Sequence, residues 1–456
     1  MSADFYLTRA DGERRRIYGY RQAKPAADLK RFSASKLGSK NLPNKVDLRR
    51  MLTPVEDQGA TNSCTANAVA GAYEYLAKKH LQGDSWDASR LFLYYNARSL
   101  DEDMESIEDE GSAICVAISS LQKYGICSED TWPFQEDEVN EEPSADAYDE
   151  AARFLVEDFA IVPTKLQSWK ECLAEGMPII FGIDLFDSFE RQRRPGLVPM
   201  PTKKEKERDE HASHAMLCVG YSDKDKVFIV RNSWGPDWGD KGYCYIPYDY
   251  VINDRYNDGD SWMIRQLDGF DVDQDTWYDD DESLFEDYES ELDNMSDDDY
   301  DDLLEDLDRI PLETRIALIL IHAAWEDDDL SDEEMDEIAS YMKDTLEQLG
   351  SDLSAKKIIR YAKKQIDEGN EDIVAESIEI LGNHLSEGML ATIVSDVEEI
   401  AGVDDLDEDE ESFIDHLIES WELEAVFYTD DDDDDDSAEE DEEDADDEDD
   451  ENSEDE

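Results

Sequence analysis

The chain has 456 residues, enough for two or three domains that each bury a core of their own. Its formal net charge is −81, so we expect no nucleic-acid partner. The longest apolar run, residues 316–325, is about half a membrane span, so we expect no membrane partner. Residues 1–250 carry 43 acidic and 32 basic side chains, whereas residues 251–456 carry 80 and 10. The acidity is therefore a property of the C-terminal half.

Residues 1–46 form a basic N-terminal arm. The first 50 residues carry 13 basic and 5 acidic side chains, with no helical or strand periodicity. We expect no secretory signal here, because polar, charged and aromatic residues alternate without an apolar core. One interpretation of the arm is a loosely attached, solvated segment.

A loop that leads into a helix follows at residues 54–79. Gly59 and Asn62 favour turns, and apolar residues recur at helical spacing from Ala66 onward. Cys64 is therefore predicted on the first turn of a helix, at the positive end of the helix dipole. This environment favours the nucleophilic thiolate.

Helical patterns precede strand patterns in the next two hundred residues. We predict helices at 85–97, 113–124 and 147–155, and strands at 178–183, 215–221, 227–231 and 242–246. The expected fold class is therefore α+β, with a helical part followed by a β part.

Three motifs, in this order, carry a family resemblance. They are Gln58-Gly-x-x-x-Ser-Cys64, then His214-Ala followed by Gly-Tyr, then Asn232-Ser-Trp-Gly with a second Trp-Gly. The arrangement resembles the papain-like (C1) cysteine peptidases, and the resemblance implies a two-lobed peptidase domain at residues 47–270. Cys64 comes from one wall of its cleft, and His214 and Asn232 from the other.

The resemblance implies a role for each of these residues. Cys64 is the nucleophile, His214 its acid and base, Asn232 the group that orients the imidazole, and Gln58 a donor to the oxyanion. His211 is a rival base, but the family histidine stands six residues before the glycine of its motif, which selects His214.

Further resemblances concern substrate binding and subtype. Gly111-Ser112 occupies the place of the Gly-Gly pair that binds substrate backbone, and Trp234 resembles the residue that shields the histidine from water. The match is closest to bacterial members that read Ser-Cys-Thr-Ala-Asn-Ala. Thr65 here replaces a tryptophan and Thr61 a disulfide cysteine. As in pro-regions of this family, the arm at residues 1–46 has a second interpretation, a segment packed over the cleft.

The C-terminal half is divided into three parts by composition. Residues 271–306 are predicted to be an acidic linker, residues 307–427 an all-helical domain, and residues 428–456 a disordered acidic tail. The tail is a candidate binding surface for a basic protein partner.

Two acidic stretches of the helical domain repeat one another, at residues 328–334 and 404–410. The repeat is similar to the tellurite-resistance TerB-like helical domain, which implies a divalent metal site at Asp328, Glu334, Asp404 and Glu410. The other interpretation is that acidic residues favour helix N-termini. Catalysis itself requires no cofactor.

The six cysteines include one assigned to catalysis, and the other five cannot all pair, so we expect a reducing, cytoplasmic location. The predicted function is endopeptidase hydrolysis of peptide or protein substrates. The alternative is a papain-like scaffold that binds metal or a partner through its acidic half. A transpeptidase would use the same residues, and the sequence leaves substrate preference, autoprocessing and oligomeric state open.

Overall fold

The computed structural model describes residues 5–23, 29–33, 42–80, 86–101, 107–156, 158–208, 210–265, 277–278, 282–285, 288–324, 332–368, 372–401 and 408–428.

The strands of the described residues lie mainly in the first 265 positions. They are β1 Tyr6–Thr8, β2 Arg14–Arg16, β3 Lys45–Asp47, β4 Asp158–Ile161, β5 Ile179–Leu185, β6 Ala212–Ser222, β7 Val227–Arg231, β8 Tyr243–Pro247, β9 Ser261–Arg265 and β10 Trp277–Tyr278.

The helices divide between the two halves of the chain. They are α1 Cys64–His80, α2 Arg90–Leu100, α3 Ile114–Lys123, α4 Ala145–Ala151, α5 Leu166–Ala174, α6 Lys203–Arg208, α7 Tyr248–Val251, α8 Glu291–Asn294, α9 Asp297–Leu307, α10 Leu312–Ala323, α11 Asp332–Leu349, α12 Ala355–Asp367, α13 Ile373–His384, α14 Glu387–Ala401, α15 Glu408–Ser420 and α16 Glu424–Phe427. None of these helices combines the length and the apolarity that crossing a membrane requires.

An antiparallel sheet forms the β part of the first half. Its strand order is β10-β3-β6-β5-β9-β4. In addition, β7 pairs with β6, and β8 pairs with β7. Buried β-branched and aromatic residues fill the central strands, as in Val-Phe-Ile-Val of β7. The register between β6 and β7 shifts at Cys218–Gly220, and the two strands pair on both sides of this irregularity.

Helix α1 packs against β6 and against α2 and α3, so a helical wall faces the sheet around one buried core. This confirms the predicted α+β fold with a helical part and a β part. Helix α1 begins at Cys64, two residues before the predicted periodicity, and α3 and β7 lie within one residue of their predicted bounds.

The second half is all-helical, as predicted, and has a separate core built from α9 to α15. Helix α10 is buried nearly all round, since ten of its twelve residues are buried. The helices begin at Glu291, however, inside the stretch predicted to be a linker. Ser296 accepts the N–H of Asp299 as an N-cap, and Tyr300, Leu303, Leu304 and Leu307 bury one face of α9.

Candidate active site

Cys64 lies at the first position of α1, where the sequence predicts a thiol at a helix start. Small residues continue the helix after it, so α1 can approach β6 closely. The sulfur interacts with the backbone of Ala215, the neighbour of His214 on β6. The nucleophile candidate and the histidine strand therefore meet at one point of the cleft.

His214 and Asn232 form a buried pair. The His214 Nε2 atom lies 2.9 Å from Asn232 Oδ1, which also accepts the backbone N–H of Ser233 at 2.9 Å. Because this oxygen only accepts, Nε2 carries the imidazole proton, and Nδ1 is left as a base. The Trp234 ring lies 4.9 Å from the imidazole centre and covers it from water.

Gln58 is held rigidly beside this pair. Its Oε1 accepts the Ser233 hydroxyl at 2.6 Å, and its Nε2 donates to the carbonyl of Thr61 at 2.8 Å. An amide nitrogen has two N–H groups, so one remains for a ligand. The side chain is only 6% exposed, which makes a fixed donor of it.

Gly111 and Ser112 lie close to the Cys64 loop because of a hydrogen-bond network. Asn62 donates its backbone N–H to Asp109 at 2.9 Å and its side-chain amide to the Asp109 carbonyl at 2.6 Å. Tyr94 donates to Asp109 at 2.7 Å and accepts the Gly111 N–H at 2.8 Å. Gly111 has φ = +81°, a conformation that glycine adopts without strain.

The N-terminal segment covers Cys64, which is 0% exposed. Ser112 donates its N–H to the Gly19 carbonyl and accepts the N–H of Arg21, both at 3.1 Å. A Cβ added at Gly19 would lie 2.8 Å from the Cys64 sulfur, so the glycine backbone lies directly on that sulfur. The predicted substrate-binding backbone is thus occupied by the protein's own chain.

The same segment also contacts Trp234 and the helical half. The guanidinium carbon of Arg15, on β2, lies 5.3 Å from the centre of the Trp234 ring. At the tip of the β1–β2 hairpin, the Ala10 carbonyl accepts the Thr314 hydroxyl of the helical half at 3.2 Å. The hairpin therefore connects the cleft to the C-terminal helices.

Burial in this covered state leaves Cys64 and His214 uncharged. Burial raises the pKa of the Cys64 thiol to about 11, against smaller opposing hydrogen bonds. Burial also lowers the pKa of His214 to about 4; the bond to Asn232 opposes this shift, and the charge of Arg15 adds to it. The thiol and a neutral imidazole are the resting forms near pH 7.

The predicted metal ligands are not brought together in what the structure describes. Asp328 and Asp404 lie outside the described residues, Glu334 is on α11, and Glu410 is half-buried on α15. The divalent site stays a prediction. Elsewhere, Glu56, Glu74 and Asp87 place carboxylate oxygens within 4.8 Å of one another.

Two carboxylates of that cluster lie near the protein's own cations. Arg90 lies 3.0 Å from Glu56, and the charge of Arg231 acts on Glu74. Glu56 and Glu74 therefore interact with arginines of the protein itself. His211, the rival base, lies 3.5 Å from Asp184 rather than in the pair with Asn232.

Sequence reasoning missed three residues of the covered site, namely Gly19, Tyr20 and Asp260. Tyr20 donates to Asp260 at 2.7 Å across 240 positions of chain. Aromatic residues flank Gly19 in Tyr18-Gly-Tyr20, which was the available signal. No local pattern connects it to a carboxylate so far away.

Comparison with known proteins agrees with this geometry. Residues 42–255 match the papain family cysteine proteases. An uncharacterized peptidase C1-like protein of Acanthamoeba polyphaga mimivirus is 34% identical over 278 residues, which cover 55% of this chain and 88% of that protein. Peptidase 1 of Dermatophagoides pteronyssinus is 29% identical over 45% of this chain and 61% of its own length.

One solved structure is similar at the level of both sequence and fold. Xylellain, a cysteine protease from Xylella fastidiosa, is 32% identical, and the match covers 55% of this chain and 96% of that one with a TM-score of 0.50.

Proposed function

Because the chain belongs to the papain family of cysteine proteases, we propose that it hydrolyses peptide bonds within polypeptides, with Cys64 as the nucleophile. The observation that carries the proposal is the buried pair of His214 Nε2 and Asn232 Oδ1, 2.9 Å apart, beside the helix start that holds Cys64. Such an arrangement leaves His214 Nδ1 as the unprotonated ring nitrogen, which can act as a base.

The reaction begins when His214 Nδ1 takes the thiol proton. The thiolate attacks the scissile carbonyl, and the negative oxygen that forms is held by the free N–H of Gln58 and the backbone N–H of Cys64. Imidazolium then returns the proton to the leaving amine. Water hydrolyses the acyl-enzyme, with His214 as the base once more. Asn232 keeps the ring in the orientation that both transfers require.

The full chain rests with its site covered. A substrate cannot pair with Ser112 in this state, because Gly19 lies on the Cys64 sulfur and residues 19–21 already pair with Ser112. Departure of the segment admits water and withdraws Arg15 from the Trp234 ring. Both changes favour the thiolate–imidazolium pair, since the burial that disfavours charge is relieved.

A non-catalytic scaffold is the weaker account of these residues. A scaffold would have no need of a fixed amide donor, a buried His–Asn pair and a helix-start thiol in one place. Gln58 Oε1 accepts from the Ser233 hydroxyl, and Gln58 Nε2 donates one N–H to the Thr61 carbonyl. These two bonds fix the second N–H of Nε2 in place for a ligand. This is the arrangement that oxyanion stabilisation requires.

Peptide cleavage by the full chain tests the proposal. Cys64→Ser should abolish cleavage, and Asn232→Ala should lower kcat by roughly tenfold or more because the imidazole loses its orientation. Cys172→Ser is the matched control, since a serine there can keep the bond to the Met177 carbonyl, far from the cleft. Activity that survives Cys64→Ser would contradict the proposal. Products with free carboxyl ends, formed in the presence of an added amine, distinguish hydrolysis from transpeptidation.

A further inference from the structure

The arginine loop, residues 191–194, contacts the first helices of the helical half. Arg193 donates to three backbone carbonyls at the end of α8, those of Leu292 and Asp293, each at 2.8 Å, and that of Met295. The last carbonyls of a helix have no partner within the helix. A single, mostly buried guanidinium therefore satisfies the end of a helix from the other half of the chain.

The two neighbouring arginines of the loop bind the same helices. Arg194 forms an ion pair with Asp293, and both side chains are mostly buried. The Arg191 carbonyl accepts the hydroxyl of Tyr300 on α9 at 2.6 Å, and the Tyr300 side chain is buried in the core of the helical half. Charge pairs that are partly buried are screened by salt much less than exposed ones. The loop is therefore part of a packed contact and not only of a charged surface.

The helical half in turn satisfies backbone groups of the first half. Glu305 of α9 accepts the N–H groups of Lys203 and Lys204, where α6 begins, the second at 3.2 Å. The Lys204 ammonium group donates to the Glu305 carbonyl at 2.6 Å. Each half thus supplies the partners that backbone groups of the other half need, so the contact is specific in geometry as well as in charge.

The β1–β2 hairpin lies between the two halves that this contact joins. Strand β1 packs on residues 187–190, which lead directly into the arginine loop. On the opposite side, the Thr314 hydroxyl of α10 donates to the Ala10 carbonyl at the hairpin tip. The chain runs on from β2 to Gly19, which lies on the Cys64 sulfur. Contacts that keep the helical half in place therefore also keep the hairpin in place.

We propose that the arginine loop is a docking surface for acidic helices, that the helical half of this chain is its partner, and that their docking holds the N-terminal segment over Cys64. The inference rests on the proposed peptidase function, because it assigns the regulation of the same site. The helical half supplies one of the two surfaces between which the hairpin lies. Its release therefore lowers the fraction of molecules in which Cys64 is covered.

The test compares labelling of Cys64 by iodoacetamide in the full chain and in one variant from each side of the contact. Arg193→Ala removes the donors to the α8 carbonyls, and Glu305→Ala removes the acceptor at the start of α6. Each variant should label roughly tenfold faster or more, because charge-assisted hydrogen bonds are lost. Arg255→Ala is the matched control, since Arg255 is an exposed arginine of the first half. Labelling at the wild-type rate in both folded variants would overturn the proposal.

A second pair of variants changes the contact without changing its packing. Tyr300→Phe removes only the hydroxyl that is bound to the Arg191 carbonyl, and it should speed labelling of Cys64 several-fold. Tyr341→Phe is the matched control, since Tyr341 packs partly buried against the same helical core. Equal labelling rates for the two phenylalanine variants would overturn the proposal even if the alanine variants misfold.

Failure of the proposed function looks different from failure of this inference. Faster labelling of Cys64 in Arg193→Ala and Glu305→Ala, without peptide hydrolysis by any of the proteins, would contradict the peptidase function and leave the docking surface supported. Hydrolysis and labelling at equal rates in the wild type and both variants would contradict the docking surface alone.

Discussion

Replacing Gly19 by alanine should open the active site. The added Cβ would lie 2.8 Å from the Cys64 sulfur and 2.6 Å from the Asn62 carbonyl oxygen. Neither atom can retreat easily, because Cys64 begins a packed helix and Asp109 holds Asn62 by backbone and side chain. The segment must move instead.

The size of the effect follows from the steric clash. Forcing one methyl group into a packed site costs about 1–3 kcal/mol. At 1.36 kcal/mol for each factor of ten, the uncovered fraction should rise by roughly fivefold to 150-fold. The rate at which an alkylating reagent labels Cys64 reports this fraction, provided that labelling is slow compared with segment motion.

The assay compares Gly19→Ala with the wild type and with Gly388→Ala. Gly388 lies at the start of α14 and has nothing within 4 Å of an added Cβ, so the same chemical change there should leave the labelling rate unaltered. Mass spectrometry of the labelled peptides gives the rate at Cys64, and thermal melting checks that each variant is folded. An unchanged rate for folded Gly19→Ala would refute the covered state in solution.

Three further predictions concern chemistry and control. Gln58→Ala should lower kcat by roughly tenfold to a thousandfold and leave alkylation of Cys64 nearly intact, because the amide acts on the transition state. An unchanged kcat in steady-state assays would show that Gln58 is not part of the oxyanion site. In the wild type, whose Cys64 thiol pKa is about 11, alkylation of Cys64 should rise only at alkaline pH. In Gly19→Ala it should rise at markedly lower pH. Superimposable pH profiles of the two proteins would contradict activation by uncovering. Tyr361→Ala should speed labelling of Cys64, because the tip of the β1–β2 hairpin packs on the Tyr361 ring, which an added Cβ at Gly12 would approach to 2.7 Å. An unchanged labelling rate would show that the helical half does not stabilise the covered state.

The candidate catalytic residues could be located in the sequence because each lies in a short motif. A thiol at a helix start, a histidine on an apolar strand and an asparagine in a Trp-Gly turn are recognisable within a few residues, and their order along the chain relates them to a family. The helical second half was predictable for a similar reason, since the spacing of apolar residues in α12 spans the observed helix.

A segment packed over the cleft was one of the two interpretations of residues 1–46, but its contacts were not predicted, and neither were the first helices of the second half. Contacts of Gly19 and Tyr20 join positions far apart in the chain, and short strands such as β1 have too few residues for a periodic signal. Helix α9 was assigned to a linker because its acidic residues outweigh its apolar ones. Its cap at Ser296 and the spacing of its buried leucines were nevertheless visible signals.

The most direct test of the central claim is site-specific labelling of the Gly19→Ala chain by a peptidyl epoxide. Cys115 is an internal reference, because it is half-buried and its pKa, like that of Cys64, is raised to about 11 in the covered structure. The account predicts label on Cys64, little on Cys115, and loss of the Cys64 label in a second variant that adds His214→Ala. Equal labelling of the two cysteines, or labelling of Cys64 that does not depend on His214, would contradict it.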